Sequence, residues 1–76
     1  MTIVPRAGDR IRLLAMQHDP RPIETGATGT VVGAYPHGGR RPWHQIDVAW
    51  DNGRKLMLVS PPDRFEIIES SQPKPS

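Results

Sequence analysis

The chain contains no cysteine. That excludes a disulfide framework, a thiol nucleophile and any zinc site built on thiolates, and it fits a reducing, cytoplasmic setting. Aromatic residues are scarce: two Trp, one Tyr and one Phe. No apolar stretch approaches the ~20 residues that cross a bilayer as a helix. The opening Met1-Thr2-Ile3-Val4-Pro5-Arg6 lacks the basic-then-apolar order of a secretion signal, so no membrane role is expected. A dominant charge is lacking too. Ten basic residues face eight acidic ones, and the formal charge of +2 is too small to force a polyanionic partner.

What the chain does have is turn formers. Nine Pro and seven Gly in 76 residues argue for many turns and hence for strands rather than helices. The length is that of one small domain, which buries only about 60% of the surface its unfolded chain exposes. Eight of the ten cations are Arg, the other two being Lys55 and Lys74. Arg suits the forked geometry of phosphate and carboxylate.

The organising stretch runs from Ile46 to Leu58. Ile46, Val48 and Trp50 alternate with Asp47 and Ala49, the period-two pattern of a half-buried strand. Asp51-Asn52-Gly53 is a strong hairpin-turn signal, with Gly53, alone or with Asn52, supplying positive φ. Leu56 and Leu58 restart the alternation on the way back. Around this pair the sequence predicts strands over Arg10–Met16, Thr28–Tyr35, Trp43–Trp50, Arg54–Val59 and Phe65–Ile68. Pro20 and Pro22 place a loop between the first two, and Pro36 to Pro42 form a second loop. Ser60-Pro61-Pro62-Asp63 reads as a 3₁₀ turn capped by Ser60. The expected core is Ile11, Leu13, Val31, Ile46, Val48, Trp50, Leu56, Leu58, Phe65 and Ile67. Five strands this short call for a closed or nearly closed barrel. The fold expected is therefore all-β, a five-stranded barrel over residues 1–69, followed by a disordered Pro/Ser tail over 70–76.

Two runs carry a resemblance: Gly8-Asp9-Arg10-Ile11-Arg12-Leu13 and Thr25-Gly26-Ala27-Thr28-Gly29-Thr30-Val31. With an alternating third strand, they resemble the SH3-like small barrels of the KOW and translation-protein type. Met16, Asp19-Pro20, Trp50-Asp51-Asn52-Gly53-Arg54 and the closing Asp63-x-Phe65 also resemble a family of short bacterial and phage proteins described as a domain of unknown function. The resemblance spans Arg6 to Ile68. It implies an SH3-like barrel, and for KOW-type members binding of RNA or of ribosomal and polymerase partners. SH3-like barrels as a group also bind peptides or dock into larger assemblies.

The first candidate site is the loop between strands two and three. Arg40 and Arg41 are adjacent cations beside Gly38 and Gly39, and Tyr35, His37 and Trp43 flank them. Aromatic faces beside a basic loop suit unpaired bases, at about 1–3 kcal/mol per stacked base. The competing reading is a solvated hairpin loop with Trp43 covering one barrel end. The second candidate is a basic stripe of Arg10, Arg12, Arg54 and Lys55 on the outward sides of strands one and four. Its competitor is pairing with Asp9, Asp47, Asp51 or Glu66. His18, His37 and His44 lack the spacing of a metal site, and no Ser has the adjacent base that a nucleophile needs. Neither a cofactor nor a small-molecule substrate is expected, and the chain reads as non-catalytic.

Two functions follow. In the first, the chain binds nucleic acid or a nucleoprotein through the Tyr35–His44 loop. In the second, it is a protein-interaction accessory module of a bacterial mobile element or phage, using the outward apolar residues Leu14, Met16, Met57 and Val59. A monomer or weak homodimer is expected in either case.

Overall fold

The central hairpin forms where the alternation places it, with β3 spanning Trp43–Trp50. Its inward members Ile46, Val48 and Trp50 are buried. The turn is closed by Gly53 N donating to Trp50 O (2.9 Å) and Trp50 N donating to Arg54 O (3.0 Å). Only Gly53, at φ +88°, takes the left-handed conformation that a three-residue hairpin loop needs. Asn52 instead accepts Arg54 N at its side-chain oxygen (2.9 Å), which stiffens the turn. This computed structural model describes residues 4–16 and 19–71.

Four more strands build one antiparallel sheet on that hairpin: β1 (Arg10–Ala15), β2 (Thr28–His37), β4 (Leu58–Ser60) and β5 (Arg64–Glu69). The order is β4-β3-β2-β1-β5. The described residues contain no helix, hence none long and apolar enough to cross a membrane. Ile11, Leu13, Val31 and Leu58 join the β3 residues in the core. Leu56, Phe65 and Ile67, expected inside, are only partly buried against it.

Four features depart from the sequence expectation, each for a physical reason. First, β2 runs on through Pro36 and His37, pairing Pro36 with His44 and His37 with Trp43. Proline is tolerated there because β1 pairs only with Thr28–Thr30, so the far half of β2 has one partner strand and can spare an N–H. The expected loop from Pro36 to Pro42 shrinks to residues 38–42. Second, Ile23, between two loop prolines, is 3% exposed and belongs to the core. Third, the turn before β5 is not 3₁₀. Asp63 N donates to Val59 O four residues back (2.9 Å), and Asp63 rather than Ser60 does the capping, accepting Val59 N at Oδ2 (3.0 Å). Fourth, the returning strand is broken. After a single bridge between Ala49 and Lys55, the ladder resumes only at Leu58.

The ends of the domain are clasped by one carboxylate. Asp9, 4% exposed, accepts Arg6 N at Oδ2 (2.8 Å) and Ser71 N at Oδ1 (2.7 Å), tying the start of β1 to the chain beyond β5. Ser71 was expected in the tail but is held here; residues 72–76 lie outside the described residues. Burial alone would raise the Asp9 carboxyl, but the Ser71 and Arg6 backbone N–H groups outweigh it and hold it below its ordinary value. Asp51 is lowered as well, by the Arg10 guanidinium and the Thr28 hydroxyl.

Gly29 shows why β2 can cross β3 closely. A Cβ there would lie 2.8 Å from Val48 Cγ1 and 3.0 Å from the carbonyl oxygen of Ala49. Gly29→Ala is therefore expected to destabilise by about 1–3 kcal/mol, while Gly38→Ala, which meets nothing within 4 Å, should stay within about 0.5 kcal/mol; urea unfolding measures both.

Because both lowered carboxyls bind a proton less readily folded than unfolded, their stabilisation is complete above the unfolded value of about 3.9 and is lost as pH falls through the folded ones. The urea midpoint is expected to be flat from about pH 7 to 5 and to fall below about pH 4. Asp9→Asn should lower the neutral plateau by about 1–3 kcal/mol and reduce the acid loss.

Candidate functional site

The basic stripe does not form. β2 and β3 separate β1 from the returning segment, so Arg10 and Arg12 share no ladder with Arg54 and Lys55. Three of the four are spent on structure. Arg10 forks onto Asp51 (2.7 and 2.6 Å) and also reaches Thr30 Oγ1 (3.0 Å). Arg12 meets Glu66 at 2.9 Å. Arg54 donates to the carbonyls of Arg21 (2.7 Å) and Pro22 (3.3 Å), pinning the proline loop that carries Ile23. Lys55 stands exposed opposite Ala49, and its side chain, unlike the other three, makes no hydrogen bond or ion pair among the described residues.

The first set is brought together. The β2–β3 pairing puts Tyr35, His37, Trp43, Gln45 and Asp47 on one face, turned away from Ile46 and Val48. The rings of His37 and Trp43 stack at 4.1 Å with an interplanar angle of 11°. His37 Nε2 lies 3.3 Å from Gln45 Oε1, and Gln45 Nε2 donates to Asp47 Oδ1 at 3.0 Å. Tyr35 is 49% exposed, its ring lying across Gly33. Arg40 and Arg41 are exposed at the hairpin tip and make no hydrogen bond or ion pair among the described residues. One Trp43 face is thus already occupied, and Trp43 is half-buried.

Beside this face lies a surface that the loop-centred reading misses. Arg41, Pro42, Trp43, Val59, Pro61 and Pro62 line a hollow of about 410 Å³. A second hollow, of about 320 Å³, shares Val59 and Pro62 with the first and adds Leu56, Met57, Asp19 and Asp63. A third, of about 330 Å³, shares Leu56 and Met57 and opens toward Val32, Asp47 and Lys55. Each shares lining residues with the next, and together they follow the returning segment; we call this tract the trough. Of the four apolar residues expected to form a patch, Met57 and Val59 line it. Leu14 is exposed on β1 away from it, and Met16 packs on the core with its sulfur accepting Ile23 N (3.3 Å).

Two side chains hold the trough in place. In the shared register of Ile46 with Leu58 and Ala49 with Lys55, Leu56 stands opposite Val48. Its carbonyl accepts the buried Trp50 Nε1 (2.9 Å) instead of joining the ladder, so the segment bows away from β3. Further along, Asp63 takes both edge groups of Val59. The sequence signals that pointed here were Met57 and Val59 as outward apolar residues and the Ser60-Pro61-Pro62-Asp63 turn, although its cap was expected at Ser60.

Among the described residues no group of His, Asp and Glu is arranged to hold a metal ion; His18 lies outside them.

A family model described as Domain of unknown function (DUF4314) matches residues 5–68. The chain belongs to this family. The DUF4314 match takes in the hairpin, the Arg10–Asp51 pair and every residue of the trough, and ends inside β5. No curated protein matches the chain at a significant level, and no solved structure does.

Replacing Asp63 by Ala is expected to cost about 1–2 kcal/mol, because Val59 N loses its acceptor and the 61–63 turn its lock. Thermal melting compared with Glu66→Gln, which disturbs only an exposed ion pair and should cost less than about 1 kcal/mol, checks the difference.

Proposed function

We propose that this chain is a non-catalytic, SH3-like binding module that recognises a protein partner along the trough beside β4. What supports the SH3-like assignment is the strand order, with β1 between β2 and β5 and a short turn leading into β5. One observation carries the protein-binding reading: three mostly apolar hollows, each sharing lining residues with the next, follow a segment whose backbone is fixed by Trp50 and Asp63. Each apolar partner side chain seated there gains about 1.5–3 kcal/mol before the costs of association. A fixed surface keeps those costs low.

Nucleic acid is the second reading, favoured by the unpaired Arg40 and Arg41 beside the His37–Trp43 stack. Magnitude places it second. Two cations neutralise about two phosphates, whereas salt-sensitive nucleic-acid complexes commonly rest on about 6–10, and Arg10, Arg12 and Arg54 are engaged elsewhere.

Pull-down from a lysate of the source cells, with and without nuclease, separates the two. A partner retained after nuclease and lost with Met57→Glu supports the protein-binding reading. A partner lost on nuclease treatment, together with micromolar binding of RNA or single-stranded DNA that Arg40→Ala with Arg41→Ala weakens, overturns it in favour of the second.

A further inference from the structure

The two hollows that share Val59 and Pro62 carry unlike charges at their ends. At one end is Arg41, exposed, with Arg40 beside it and no partner among the described residues. At the other is Asp19, whose Oδ1 accepts Arg21 N (2.8 Å) while its carboxylate meets no cation at salt-bridge distance among the described residues. Between them the lining is Trp43, Val59, Pro62, Leu56 and Met57. Asp63 also lines the second hollow, but its Oδ2 is taken by Val59 N.

The neighbouring edge strand would ordinarily invite another mode of binding, in which a partner adds a strand to β4 through backbone hydrogen bonds. At the middle of β4 that mode is closed. Val59 N is bonded to Asp63 Oδ2 and Val59 O to Asp63 N, so both groups that an added strand would meet are occupied. With three residues in the strand, no comparable pair remains within it. Recognition here has to run through side chains.

Resting on the protein-binding reading above, we infer that the trough takes an extended peptide segment of dipolar character: an acidic residue at the Arg41 end, apolar residues over Val59 and Met57, and a basic residue at the Asp19 end. The unlike ends fix the direction in which the segment lies, because reversal sets like charges against each other. The apolar floor supplies affinity, and the charges supply orientation.

Panning a phage-displayed library of random dodecapeptides on the full chain tests this. The enriched peptides are expected to share an apolar run with Asp or Glu on one side and Lys or Arg on the other. The double variant Arg41→Glu with Asp19→Lys, both near the surface and outside the core, should enrich peptides with the two charges in the opposite order. A peptide selected on the natural chain should bind the double variant at least about tenfold more weakly, and its charge-reversed counterpart should recover the loss. Circular dichroism of each variant confirms that the sheet is kept. Peptides that lose binding with Met57→Glu but ignore the charge exchange overturn the inference and leave the docking surface standing. Enrichment of nothing above background, or of peptides indifferent to both Met57→Glu and Val59→Ala, overturns the inference and the protein-binding reading together.

Discussion

The hydrogen bond from the Trp50 indole to the Leu56 carbonyl sets the shape of the surface. Trp50 is 3% exposed, and a buried indole N–H left without an acceptor costs on the order of 1–3 kcal/mol. Leu56 offers the acceptor, at a place where its carbonyl would otherwise face Val48 across the ladder. The core therefore satisfies its own donor at the point where the ladder is interrupted between Lys55 and Leu58, the register being the same on both sides of the gap. The consequence appears on the other side: Leu56 is only partly buried, Met57 is 46% exposed, and hollows open on both flanks.

A small sheet with two edges must also keep those edges from pairing with strangers. Here β4 is three residues long and Asp63 stoppers its middle. The same economy appears elsewhere, with Asp9 clasping the two ends of the domain and Asp51 tying β1 to the hairpin turn. Acidic side chains in this protein largely do structural work, and that is why a near-neutral charge balance leaves few cations for a polyanion. Among the described cations without a side-chain partner, Arg41 and Lys55 line the apolar surface, with Arg40 beside Arg41, and these three form no stripe.

Much of the fold could be read from residues. Ile46, Val48 and Trp50 gave β3 its bounds, because strict alternation next to Asp-Asn-Gly admits one reading. Gly29 was legible as a close approach, since a glycine inside a strand has little other reason to be there. Ile23 was not legible: a lone apolar residue between two prolines carries no periodicity, and its burial depends on Arg54 pinning the loop from 32 residues away. The break in the returning strand was equally hidden, because Leu56 and Leu58 alternate well and nothing local says that Trp50 will claim a carbonyl. On the candidate site, the sequence placed Arg41 and Trp43 in one loop region, and they line one hollow, yet it could not show that His37 already covers one face of Trp43. Nor could it show that Pro61 and Pro62 stand beside that ring, since proximity of β3 and the 61–63 turn is a product of register.

Amide hydrogen exchange at Val59 and Asp63 bears most directly on the claim that a side-chain-locked edge presents this surface. Both amides donate inside the domain, to Asp63 Oδ2 and to Val59 O. They are expected to exchange as slowly as the core amides of β3, opening only with the whole sheet. Exchange as fast as that of the Arg40 and Arg41 amides at the hairpin tip would mean that the edge is open and unlocked, and the account would be wrong.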